Sequence, residues 1–203
     1  LNRQRGVVEG FDVDSGRCVV KLEDGRSCKF KVENLAEVRV GRPPEELFEE
    51  AKRRFMVLRD RYGQGHGEPW RRIKTADDRR ENAEVVRMMT EAAEQGDAEA
   101  QCHLGTMYLQ GHGVPQSDAL AAEWYRKAAD QGYAPAQCSL GVAYAQGKGG
   151  LPQSDALAAE WYRKAADQGY APAQCSLGVA YAQGKGGLPQ SDALAAEWYR
   201  KAA

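Results

Sequence analysis

The run PQSDALAAEWYRKAADQGYAPAQCSLGVAYAQGKGGLPQSDALAAEWYRKAA fills residues 115–166 and recurs letter for letter at residues 152–203, an identity of 52 residues offset by 37. Self-similarity at a fixed step of roughly 20–50 residues marks stacked supersecondary units, none of which can bury its apolar face alone. Trp124, Trp161 and Trp198 keep the same 37-residue step. In such a solenoid each unit touches its neighbours and no others. The result is an extended surface of repeated side chains, which suits binding better than catalysis.

One unit reads as a helical hairpin. Pro135 suits the first turn of a helix, where its missing N–H is not needed. Helix A continues through Ala136, Leu140 and Tyr144 to the loop Gly147-Lys148-Gly149-Gly150. Helix B follows Pro152, is capped by Ser154 or Asp155, carries Trp161, Tyr162, Ala165 and Ala166, and closes at Gly169. With Leu140 at the centre of the buried face and about 100° per residue, Ala136, Tyr144 and Gly147 lie within about 40° of it. Gly141 lies to one side, where a missing side chain lets a second helix approach. A fully buried Trp161 would remove on the order of 200 Å² from water, so truncation to Ala is expected to cost roughly 3–5 kcal/mol. On the remaining face of helix A, Ser139, Val142 and Gln146 cluster, matched by His103, Thr106 and Gln110 earlier and by Ser176, Val179 and Gln183 later. Such a face is either solvated or a contact surface.

The pattern Ala-x-Ala-Gln-x-x-Leu-Gly-x-x-Tyr-x-x-Gly at residues 98–111, 134–147 and 171–184, followed by Ala-x-x-Trp-Tyr-Arg-Lys-Ala-Ala, resembles the Sel1-like repeat, a relative of the tetratricopeptide repeat. The resemblance spans residues 82–203 and extends in weaker form over 44–81. The family often has Asp at the helix B cap, where this chain has Ser117, Ser154 and Ser191; serine caps comparably. The resemblance implies a right-handed α-solenoid whose helix A face is concave, which makes the nine residues named above candidate contacts for a protein or peptide. Some secreted relatives carry a cysteine pair in every repeat, whereas this chain has one cysteine per repeat, at Cys102, Cys138 and Cys175. Equivalent positions of repeats stacked about 10 Å apart lie outside the roughly 4.4–6.8 Å Cα range of a disulfide. Small helix-packing residues in a reducing, cytoplasmic setting are therefore expected, with a nuclear setting as the second choice.

Upstream, residues 41–96 open after Pro43-Pro44 with an amphipathic helix. Leu47, Phe48, Ala51, Phe55, Leu58 and Tyr62 form its apolar stripe, with glutamates in the first turns and arginines near the end, as the helix dipole favours. Residues 62–69 match 108–115 at six of eight places, and 82–96 parallel 118–132. This predicts a degenerate first repeat carrying an insertion at residues 70–80.

Residues 1–40 are written as short β-rich runs separated by Asp14-Ser15-Gly16 and Glu23-Asp24-Gly25, the second a hairpin-type turn. Leu1-Asn2, Arg5-Gly6-Val7-Val8, Phe11-Asp12, Gly16-Arg17, Val20-Lys21-Leu22, Asp24-Gly25 and Glu33-Asn34-Leu35 together resemble a small SH3-like or Tudor-like barrel lacking its first strand. The predicted architecture is therefore α+β and multi-domain: a β module at 1–40, a helix and degenerate repeat at 41–96, and repeats at 97–132, 133–169 and 170–203. The chain begins at Leu1 and stops in mid-motif, so continuation at both ends is expected.

Other chemistry finds little footing. A net charge of -1 gives no global pull toward nucleic acid or membrane, and no apolar run approaches the roughly 18 residues of a membrane span. The Gly147 loop joins two helices and lacks the phosphate-loop pattern. His66, His103 and His112 have no metal-like spacing, and no nucleophile–base set is recognisable. No enzyme activity, cofactor or metal is expected. Residues 52–80 do hold ten basic against four acidic side chains, with Trp70 beside Arg71-Arg72. Binding to nucleic acid or chromatin through this segment and the β module is the alternative to the leading reading, a non-catalytic protein-binding scaffold.

Overall fold

The computed structural model describes residues 6–12, 17–22, 27–31, 43–62 and 75–203. Two compact units divide the chain, Leu1–Pro43 and Pro44–Ala203. In the first, β1 (Gly6–Asp12), β2 (Arg17–Leu22) and β3 (Ser27–Lys31) form an antiparallel meander in the order β1-β2-β3. Val8 pairs with Val20 and Gly10 with Val19, so the register slips once within β1; β2 and β3 pair evenly from Arg17–Lys31 to Lys21–Ser27. Among the described residues these three strands form an open meander and close no barrel. The expected SH3-like or Tudor-like barrel is therefore not supported, and the remainder of the expected module lies outside the described residues.

The second unit is a run of helices: α1 (Pro44–Tyr62), α2 (Ala76–Glu94), α3 (Ala98–Gln110), α4 (Asp118–Asp130), α5 (Ala134–Gln146), α6 (Asp155–Asp167), α7 (Ala171–Gln183) and α8 (Asp192–Ala202). Helix A of the three clear repeats is α3, α5 and α7, and helix B is α4, α6 and α8. The ends are set by local chemistry. Ser117, Ser154 and Ser191 each accept a hydrogen bond from the backbone N–H three residues on, which selects Ser154 over Asp155 as the cap. At the far end of α6, Tyr170 N–H reaches Ala165 C=O and Gly169 N–H reaches Ala166 C=O, a Schellman closure that Gly169 permits with φ of +85°. Of the insertion expected at 70–80, residues 70–74 lie outside the described ones and residues 76–80 are helical. Thr75 accepts from Asp78 N–H, Asp77 and Asp78 sit in the first turn, and the helix starts six residues before the repeat alignment would place it.

Apolar side chains gather in three successive clusters. Leu47, Phe48 and Ala51 of α1 meet Met88, Met89, Ala92 and Ala93 of α2 and Ala100, Leu104 and Met107 of α3. The next cluster joins α3, α4 and α5 through Cys102, Tyr125, Ala136 and Leu140, and the third repeats it with Cys138, Tyr162, Ala173 and Leu177. Leu140 and Ala136 are buried as predicted, but Tyr144 is half-buried and Gly147 is an exposed left-handed cap. The tryptophans depart from expectation too. They are half-buried: Trp124, Trp161 and Trp198 each pack against the preceding cluster, under the ammonium of Lys127, Lys164 or Lys201 at 3.8–4.0 Å. They still join repeats, yet the burial assumed for Trp161 belongs to its neighbour Tyr162, 9% exposed. Tyr162 reaches inside because Gly141 leaves room; an added Cβ there would lie 2.6 Å from the tyrosine ring.

Candidate functional site

The groove-bearing face is built by helix B of one hairpin and helix A of the next. On α4, Asp118, Ala121, Ala122 and Tyr125 form one wall and the floor; on α5, Ser139, Val142, Ala143 and Gln146 form the other wall; Leu109 and Lys148 complete a groove of about 290 Å³. A second groove of about 220 Å³ lies between α6 and α7, with Asp155, Ala158, Ala159, Tyr162, Ser176, Val179, Ala180, Gln183 and Lys185 in the corresponding places and Ala145 in that of Leu109.

The floor exists because alanines stand where a larger side chain would fill it. Gly149 brings the interhelical loop onto α4, its φ of +67° leaving an added Cβ only 2.5 Å from Asp118 C=O. Tyr125 is buried, with its hydroxyl 3.1 Å from Thr106 Oγ1. Burial pushes both Tyr125 and Tyr162 up to about 12, so the tyrosines contribute neutral hydroxyls and ring edges. Ser139 Oγ donates to Pro135 C=O at 3.0 Å, and Ser176 Oγ to Pro172 C=O at 3.0 Å. Among the lining residues Val142 is 38% exposed and Val179 43%, the aliphatic groups within a partner's reach, beside the exposed Gln146, Lys148, Gln183 and Lys185. One lysine and one aspartate per groove leave no net charge.

Six of the nine residues singled out from sequence thus line the two grooves: Ser139, Val142, Gln146, Ser176, Val179 and Gln183. The other three lie elsewhere. His103 packs against Phe48 of α1 with ring centroids 5.3 Å apart and the rings tilted by 53°, and its Nε2 is 3.9 Å from Glu99; burial lowers its pKa. Thr106 Oγ1 donates to Cys102 C=O. Gln110 is exposed and lines neither groove. At this end α1 packs beside α3 through Phe48 and Lys52, and α2 carries Val86 where α4 carries Ala122.

Sequence reasoning passed over Leu109, the tyrosines and the alanine floor, because it followed helix A and left helix B to the core. It also passed over the glutamine of the Ala-x-Ala-Gln motif. Gln137 is buried; its Nε2 donates to Ala129 C=O at 3.2 Å while its Oε1 accepts from Gln168 Nε2 at 2.8 Å, tying two hairpins together. Gln101 repeats this with Ala93 and Gln131, whereas Gln174 keeps the bond to Ala166 and among the described residues its Oε1 has no partner.

The basic stretch is dispersed in ion pairs where it is described. Lys52 meets Glu99 at 2.9 Å, Arg53 and Arg54 both meet Glu50, and Arg80 lies near Asp77. Trp70, Arg71 and Arg72 lie outside the described residues. Among the described residues no cluster of His, Cys, Asp and Glu fits a metal, and no helix is long and apolar enough to cross a membrane. Cys102 and Cys138 are buried free thiols and Cys175 is an exposed one.

Comparison with known proteins agrees with the helical part. The family model described as the Sel1 repeat matches residues 98–133, 134–170 and 171–203, more than half of the chain. A Sel1 repeat protein from Oxalobacter formigenes is 40% identical, with 57% of this chain and 87% of that one covered and a TM-score of 0.51. A protective antigen of uropathogenic Escherichia coli strains, displaying an SLR fold, is 36% identical with a TM-score of 0.59; the match covers 80% of this chain but 33% of that larger protein. No curated protein matches.

Proposed function

This chain belongs to the Sel1 repeat family, and from that premise we propose that it is a non-catalytic scaffold which holds a protein partner by an extended segment laid across the grooves between successive hairpins. A fold of this class puts the same helix face forward once per repeat, and such faces commonly serve protein–protein contact. The observation that carries the reading is the pair of alanine-floored grooves without net charge, with Val142 and Val179 held half-open to solvent. Large exposed aliphatic side chains beside a concave apolar floor are the usual anchor sites for peptides. Among the described residues the basic segment is held in ion pairs, and nothing found supports the nucleic-acid reading.

Selection of a displayed random 12-residue peptide library on the folded chain, repeated on Val142→Asp/Val179→Asp, tests this. Both valines are exposed enough for the variant to keep its helicity and melting transition. Selected peptides should lose at least about tenfold in affinity on the variant, an aspartate in an apolar site costing more than about 1.4 kcal/mol. Equal binding to both chains would remove the grooves from consideration.

A further inference from the structure

Resting on the reading of the grooves as peptide sites, we infer that they are occupied together, by one extended peptide carrying two equivalent aliphatic side chains about three residues apart. Nine of the ten lining positions are the same residue in both grooves, the exception being Leu109 against Ala145. Two sites of the same chemistry cannot select two different side chains. A partner that matches both must itself repeat the feature they recognise.

Each groove accommodates roughly seven to ten groups of water size at about 30 Å³ each, which is the size of one aliphatic residue. With one lysine and one aspartate in each, neither groove favours a charged occupant.

The spacing follows from the helices. Cys138 of α5 shares a core cluster with Ala173 and Leu177 of α7, so the helices of this face pack together across one repeat. Neighbouring packed helices lie about 10 Å apart. An extended or polyproline-type chain advances about 3.1–3.4 Å per residue, so three residues cover one step. In the polyproline form the third residue also returns to the same side of the chain, which would place both side chains toward the protein.

The single difference has a consequence for order. Leu109 gives the α4–α5 groove an aliphatic wall that the α6–α7 groove lacks, so a lone aliphatic side chain fills the former first.

The experiment uses acetylated, amidated eight-residue serine–threonine peptides carrying one leucine, or two leucines separated by two to five positions. Binding is followed on the methyl NMR signals of Val142 and Val179. One-leucine peptides should shift Val142 at lower concentration than Val179, and Leu109→Ala should equalise the two. The two-leucine peptide with leucines three positions apart should shift both methyls in one titration and bind at least about tenfold tighter than the one-leucine peptide, as a linked second contact does. Val142→Asp or Val179→Asp alone should return its affinity to the one-leucine level. Tight binding that shifts one methyl, or that is independent of spacing, overturns the paired occupancy and leaves the scaffold reading standing. Peptides that shift neither methyl, and whose binding survives Val142→Asp/Val179→Asp, overturn both.

Discussion

Alanine at Gly141 separates two opposing effects within one repeat. Glycine in a helix interior is worse than alanine by about 1 kcal/mol, so on propensity alone Gly141→Ala stabilises. The new Cβ, however, would lie 2.6 Å from Tyr162 Cε1, 2.7 Å from Cδ1 and 3.2 Å from Ala158 C=O. The tyrosine is 9% exposed and cannot swing aside without disturbing the cluster around it. Overpacking of this kind costs about 1–3 kcal/mol, which offsets or exceeds the propensity gain of about 1 kcal/mol and leaves a net loss of up to about 2 kcal/mol. Gly178→Ala supplies the control within the same chain. Its Cβ meets Tyr199 at 2.7 Å, but that ring is 42% exposed and can rotate toward solvent. There the change should be neutral or stabilising by up to about 1 kcal/mol. Because repeats open locally, urea melts should be read beside hydrogen exchange of α5 and α7 separately. If Gly141→Ala slows exchange in α5 as much as Gly178→Ala does in α7, the close approach of helix and ring does not govern this fold.

The glutamine tie makes a second comparison. Gln137→Leu loses the bonds to Ala129 and Gln168, whereas Gln174→Leu loses the bond to Ala166, with no second partner among the described residues. At about 1 kcal/mol per bond the first should cost roughly 1 kcal/mol more than the second in urea melts, and equal losses would deny the tie between repeats. His103 sets a pH dependence. Its pKa is lowered by burial, against Glu99 and Asp97, which raise it, and with Lys52, which lowers it further. The unfolded chain therefore binds more protons near pH 6.5 than the folded chain does. Its contribution is complete above that pH and declines as pH falls toward the folded pKa, so acidification should loosen α1 from α3, and His103→Gln should flatten this part of the stability profile. Thiol labelling followed by peptide mass mapping should modify Cys175 before Cys102 and Cys138. Burial pushes Cys102 up to about 12 and Cys138 to about 11, so both should react at the rate of opening, and labelling of Cys138 as fast as Cys175 would contradict the packing.

The helical hairpins could be read from sequence because their signals are local. Ser154 as cap, Pro135 in the first turn and Gly169 after the last turn each act within four residues of their own position, and a 52-residue identity repeats them without ambiguity. The start of α2 was harder to read, because Thr75 and Asp78 lie outside the repeat pattern that organises the rest. The barrel expected around β1 to β3 depended on pairing partners distant in sequence, which local runs do not specify.

The candidate site divides in the same way. The period of helix A selects Val142, Val179 and their neighbours as one face, but the same periodicity also selects His103 and Thr106, which meet α1 and the core instead. Sequence by itself determined that this protein is a stack of hairpins and which face of each helix A turns from its own core. Tertiary structure alone decided that Tyr162 rather than Trp161 is buried, that Leu109 and the alanines of helix B complete the grooves, and that α1 packs beside the first of three equivalent positions. The physical reason is that a helix dictates the direction of its own side chains, whereas a groove exists only once two helices have chosen their distance.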